Sequence, residues 1–434
     1  MSAMMKLIED LHMVRSGIVC DGIDYCMERL QEDLPFHILR WPSGDYHNGW
    51  IVPKKWECQQ ATIIDHTGKL LYNGNDHPLG VIGYSQSYRS DGFGIMGDEL
   101  KKHLFYNDTH HDALVHHCDL FYKPHKKDWG FSVSKNFYDT IDDAGIYHVD
   151  LKTTFEDGEM PVAEYIVHGK SRDTILLLAH ICHPGCSNDD LSGCAVGIEV
   201  MKRLIKMLGR NHYTYRLLIL PEHYGSVFYM KTYRDKFMKY AMFIESVGTT
   251  GPLINQESFD PRSLICRAVA NSLPPGGESK PFRSVVGNDE TVLEAVGIPC
   301  PSLNRCHFSQ YHSSHDNPSL MNEDSLYQAA EVVMNAIDIM ENDTIPVAQF
   351  DGLVCLSNPQ YDLYRPMMDP SIPDRRSITP EARRFNYLMD CLPQLLDGKH
   401  SILDIAERHQ LPFRAVFDYV KKWQEKGLVE MVRT

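Results

Sequence analysis

Residues 174–193 read TILLLAHICHPGCSNDDLSG. The opening TILLLAH is apolar until His180, the pattern of a strand buried on both faces. A polar loop with His183, Asp189 and Asp190 follows, and Ser192-Gly193 then opens a long helix-forming run, LSGCAVGIEVMKRLIKML. In an open α/β sheet the ligand site lies just past the carboxyl ends of the strands. Imidazole and carboxylate at that point are the ligand types that zinc takes. By itself the stretch also allows a helix-capping Asp with two incidental histidines.

The neighbouring segments repeat the arrangement. AEYIVHG precedes it as a strand. YRLLILPEHYGS ends a buried run in Glu222-His223, and KYAMFIESVG ends another in Glu245. Successive strand ends carrying His, Glu-His and Glu point at one crevice. A later loop, YHSSHDNPS, brings His312, His315 and Asp316 just before the amphipathic run EDSLYQAAEVVMNAIDIMEN. A distant loop that returns a histidine is a usual way to complete a metal shell. Strands alternating with helices predict an α/β sheet covered by helices on both faces.

Around this core the chain changes texture. Residues 1–40 read as amphipathic helices, LIEDLHMV and YCMERLQEDL. Segment 41–145 is rich in Pro, Gly, Asn, Asp and aromatics with short β-type runs, and reads as an inserted β-rich domain. Within it ATIIDHTGKLLYNG predicts a hairpin turning at Gly68. The catalytic region then comprises 1–40 and 146–350. Prolines 359, 366, 370, 373 and 380 mark 351–380 as a linker. Residues 381–434 close with two helices, SILDIAERHQ and FRAVFDYVKKWQEKG, and the strand LVEMVRT, the outline of a winged helix.

Composition sets bounds. The 434 residues are 43% hydrophobic and 23% charged, which suits a multidomain globular protein. The net charge of −15 opposes nucleic-acid binding over the whole surface. In the terminal helices Lys421, Lys422 and Lys426 interleave with Asp418 and Glu425, so that unit reads as a protein-contact module rather than a DNA reader. Mean hydropathy is −0.33, and no apolar run approaches the ~18 residues of a membrane span. The Lys- and Glu-interrupted N-terminus lacks a signal-type stretch, so a cytoplasmic location is expected. The 12 cysteines, without a CxxC pair, read as reduced thiols. GFGIMG at 92–97 fits GxGxxG, but Asp98-Glu99 at the following helix start would repel phosphate. GxSxG, P-loop and HExxH motifs are absent from the sequence.

In combination these motifs resemble the co-catalytic zinc aminopeptidases. The similarity is greatest to a bacterial branch of aminopeptidase-like proteins, which carry an inserted β-rich domain and a C-terminal winged helix. It rests on RWPSGDYHNGWIVPKKW, WGFSVSKNF, HICHPGCSNDDLSG, YHSSHDN and the terminal helix pair. The resemblance implies a zinc-aminopeptidase-like mixed sheet with one or two zinc ions. Asp189 matches the bridging carboxylate, His180 the strand-end ligand, His312 the late ligand and Glu222 the general base. Three positions depart from the pattern. His223 stands where a ligand Glu is usual, and imidazole still binds zinc. Glu245 replaces a shorter Asp. Cys182 replaces the carboxylate of a His-x-Asp pair and cannot orient the histidine in the same way. His183 in the altered loop is an alternative to His180.

The implied activity is zinc-dependent hydrolysis of an amide next to a free amino group, in a peptide or amino-acid conjugate. A homo-oligomer is expected, with neither nucleic acid nor membrane as partner. The alternative is a catalytically altered, peptidase-like binding or regulatory protein acting through the winged helix.

Overall fold

The computed structural model describes residues 2–123, 125–365 and 379–433. Pro366, Pro370 and Pro373 of the expected linker lie outside the described residues. The chain forms two compact units, Met1–Cys266 with Pro274–Glu331, and Arg267–Leu273 with Val332–Thr434.

The first unit is built on an eight-stranded sheet. Its order is His37–Pro42, Glu159–Val167, Thr214–Leu220, Thr174–His180, Met238–Ile244, Ser302–Asn304, Ile254–Gln256 and Glu278–Lys280. The four strands from Thr214–Leu220 to Ser302–Asn304 are parallel. Their neighbours on both sides join antiparallel, so the sheet is mixed, as the resemblance implied. Every residue of Thr174–His180 is buried, which is why that run carries no polar side chain between its ends.

From Thr174–His180 the chain passes through helix Ser192–Ile205 to the strand on one side. It then passes through helix Tyr224–Tyr233 to the strand on the other side. Crossovers of one hand that travel in opposite directions place their helices on opposite faces of a sheet. The same reversal opens a crevice at the carboxyl end of Thr174–His180. Helix Ala3–Leu11 buries Met4, Leu7, Ile8 and Leu11, a helical-period stripe, against this assembly.

A second sheet has the order Leu70–Asn73, Lys55–Asp65, Ile146–Glu156 and Tyr88–Arg89. The expected hairpin is present, with Gly68 at φ +89° in its turn. Ile146–Glu156 pairs along its length with Lys55–Asp65, so the sheet of the β-rich region runs past residue 145. Phe121, Trp129 and Phe131 of this region share one cluster of buried residues with Leu176 and Leu218 of the main sheet.

The second unit contains helices Pro380–Leu395, Ile402–His409 and Phe413–Glu425. Strand Val429–Arg433 pairs antiparallel with Thr344–Ala348. Ser401 and Asp404 form a capping box on Ile402–His409. All 12 cysteines are free thiols. Among the described residues no helix is long and apolar enough to cross a membrane.

Candidate metal centre

Asp189 lies in the loop between His180 and helix Ser192–Ile205, and its side chain is 2% exposed. Its two oxygens face different partners. Oδ1 is 3.3 Å from His180 Nε2, which is itself 3.9 Å from Glu245 Oε1. Oδ2 is 3.4 Å from His183 Nε2 and 3.2 Å from His312 Nε2. Two donor sets, His180–Asp189–Glu245 and His183–Asp189–His312, therefore share one carboxylate. Within each set the donor atoms lie within 4.8 Å of one another.

The loop is held by backbone groups. Asp316 accepts hydrogen bonds from the Asn188 and Asp189 amides at 2.7 and 3.0 Å. Asp190 accepts from the amides of His180, Gly193 and Ser246, and so joins two strand ends. A side chain at Gly193 would stand 2.1 Å from the Ile244 carbonyl, which explains the Ser-Gly step at the helix start. Asn288 donates to Glu245 Oε1. His312 is fixed from the β-rich region, where the His116 amide donates to the His312 carbonyl at 2.7 Å.

His183 Nδ1 is 3.1 Å from the Pro184 carbonyl, which can only accept, so Nδ1 donates there and Nε2 is the ring atom that faces Asp189. Burial alone would raise the Asp189 carboxyl, but His180, His183 and His312 hold it well below the usual carboxylate range. Burial pushes Glu245 and Asp316 well above theirs, and Asp190 up to about 8.

His180 Nε2, His183 Nε2, both Asp189 oxygens and Glu245 Oε2 are buried without a hydrogen-bond partner. Orphaned lone pairs in a dry pocket are costly unless a cation gathers them. Two imidazole–carboxylate sets that share one carboxylate suit a pair of divalent ions such as zinc.

Of the residues singled out from sequence, His180, His183, Asp189, Glu245 and His312 come together. Glu222 stands beside them, in reach of His180 and Cys182. His223 joins neither Asp189 set. Its amide donates to Asp289 at 2.9 Å and its Nε2 is 3.7 Å from Glu222 Oε1. Its ring packs near Trp50 and Tyr122. His180 and His183 each face their own oxygen of Asp189. Cys182 Sγ lies 3.5 Å from His180 Nδ1 and donates to Glu222 Oε2 at 3.8 Å, and burial pushes this thiol up to about 12.

Two residues of the β-rich region were missed. Tyr122 donates to Glu222 Oε2 at 2.7 Å. His116 stacks on His183 with ring centroids 4.0 Å apart. Burial, together with His183 and His312 beside it, lowers His116 well below the ordinary imidazole range. The histidine pair in ALVHHCD was the only available signal, and nothing in its spacing tied it to the strand ends.

The fold agrees with that of known peptidases. A Bacillus subtilis zinc aminopeptidase superposes with TM-score 0.54 at 13% identity, covering 77% of this chain and 93% of that one. A crystal structure from Clostridium acetobutylicum, provisionally named a peptidase, gives TM-score 0.82 at 26% identity, covering 99% and 96%. A curated protein of the same organism is 28% identical over 424 residues, 95% of this chain and 92% of that protein. It is provisionally named a polysaccharide biosynthesis protein with an aminopeptidase-like domain. Residues 5–343 match the family model described as a domain of unknown function, DUF4910, and the chain belongs to that family.

Proposed function

We propose that the chain is a metal-dependent hydrolase of peptidase type that binds two zinc ions and cleaves an amide next to a free amino group. The observation that carries this reading is the divided carboxylate of Asp189, with a separate pair of buried, orphaned donors at each oxygen. His180 and Glu245 would hold one ion, and His183 and His312 the other, with Asp189 between them. Such ions polarise a carbonyl and lower the pKa of an attacking water. The Clostridium acetobutylicum relatives, one with an aminopeptidase-like domain and one provisionally named a peptidase, support the reaction class.

Glu222 acts as general base. It takes the proton of the attacking water and delivers it to the leaving amine. Tyr122 and Cys182 each donate to Oε2, which fixes the carboxylate and leaves Oε1 for the proton. His223, beside Oε1, borders the path of the leaving group. Residues 381–434 serve as a winged-helix protein-contact module, a role supported by their mixed surface charge.

The test is elemental analysis after mild dialysis, joined to hydrolysis of an aminoacyl-amide panel. Two zinc ions per chain and turnover are expected. Glu222→Gln should retain the metal and lose turnover by roughly two to four orders of magnitude. A protein that neither holds nor takes up zinc would end this reading.

A further inference from the structure

The contact set His180, Cys182 and Glu222 shares only His180 with the two Asp189-centred sites, and its donor atoms also lie within 4.8 Å of one another. A third metal site is one reading of such a set. His180 argues against it. A neutral imidazole has a single lone pair, and Nε2, which faces Asp189 and Glu245, would give it to the ion held there. Nδ1 therefore carries a hydrogen and points at Cys182 Sγ as a donor.

The protons then run in one direction. His180 Nδ1–H donates to Sγ at 3.5 Å, and the thiol donates its own hydrogen to Glu222 Oε2 at 3.8 Å. Tyr122 O–H donates to the same oxygen at 2.7 Å. Each donor has an acceptor and none is used twice. Cys182 is 5% exposed, so both contacts lie inside the protein.

We propose that Cys182 is a positioning residue that orients the metal ligand His180 and the base Glu222 together through one neutral thiol. The sequence led to the expectation that a cysteine here cannot orient His180 in the way a carboxylate does, and this is a different way of doing so. It also gives a reason for the thiol. A carboxylate at this place would orient His180 as well, but it would stand beside the Glu222 carboxylate as a like charge in a buried pocket. A thiol accepts from the histidine and donates to the glutamate, which an ionised carboxylate cannot do.

The inference rests on the proposed metal centre, and the experiment separates the two. Zinc is titrated into the full-length apo protein against a chromophoric chelator, for wild type and for Cys182→Ala, Cys182→Ser and Cys182→Asp, with melting curves to verify folding. Loss of an outer partner of a ligand histidine typically lowers metal affinity by roughly 10- to 100-fold. Cys182→Ala should show that loss at one of two ions. Cys182→Ser, whose hydroxyl both accepts and donates, should recover most of it. Cys182→Asp should keep both ions and lower kcat with KM little changed. Should the alanine protein fail to fold, Cys182→Val supplies a second side chain without hydrogen bonds. Equal zinc affinity in wild type and Cys182→Ala, or no recovery in Cys182→Ser, would overturn the role of the thiol while leaving the metal centre standing. A wild-type protein without zinc affinity would overturn both.

Discussion

Asp189 has one negative charge and serves two donor pairs, so its neighbours must do unequal work. The His180 side has Glu245 as a second carboxylate, whereas the His183 side has only imidazoles beyond the shared Asp189 carboxylate. A divalent ion is held more tightly where more negative charge faces it. His180→Ala should therefore abolish the tighter zinc, and His183→Ala should abolish only the weaker one. Calorimetric titration of both variants would check this ordering, and an unchanged stoichiometry in His183→Ala would remove that residue from the ligand set. At this scale the sequence was half legible. Residue types at strand ends were readable because apolar runs stop abruptly at His180, Glu222 and Glu245. The different surroundings of His183 and His223, both carried as ligand candidates, were not, because both are histidines just beyond a strand. Only the path of the loop after His180 turns one ring toward Asp189, while the backbone of His223 turns toward Asp289.

Elements were readable in proportion to their length and periodicity. The helix expected over Glu323–Asn342 and the strand Thr174–His180 both appear where the pattern placed them. Three-residue strands such as Ile254–Gln256 and Ser302–Asn304 carry too little pattern to be read and owe their place to pairing across the sheet. In the second unit, a buried carboxylate offers a pH test. Asp343 is 4% exposed and accepts from the Leu403 amide at 2.8 Å, in the first turn of helix Ile402–His409. Burial raises its carboxyl from 3.8 to about 6. The folded chain thus holds this proton more tightly than the unfolded chain does. Its contribution to stability is full below the unfolded value and is lost as pH rises through about 6. Asp343→Asn keeps an acceptor and removes the titration. Between about pH 7.5 and about pH 4.5 the wild type should gain roughly 2 kcal/mol relative to the variant. Denaturant unfolding at the two pH values measures it, and a pH-independent difference would assign the proton elsewhere.

For the whole molecule, the sequence conveyed the α/β class because its parallel strands announce themselves as apolar runs. It could not convey that the β-rich region shares its core with the main sheet, since aromatic residues scattered among turns have no period to read. That sharing brings the backbone of residues 114–116 against the His312 loop and Tyr122 against Glu222. The chain carries a net charge of −15, and it buries Asp189, Asp190, Glu245, Asp289 and Asp316 near one another in the first unit. Zinc in that unit should stabilise the folded state by mass action, about 2.7 kcal/mol per ion at a hundredfold excess over its Kd. Chelation should therefore lower the melting temperature by several degrees, and re-addition of zinc should restore it. Hydrogen exchange locates the effect. Protection gained with zinc should concentrate in residues 181–191 and 311–316, whose amides frame the donors, and should be small in Pro380–Arg433, which contributes none of them. A uniform change across both units, or none on chelation, would mean that the buried carboxylates and imidazoles hold no metal.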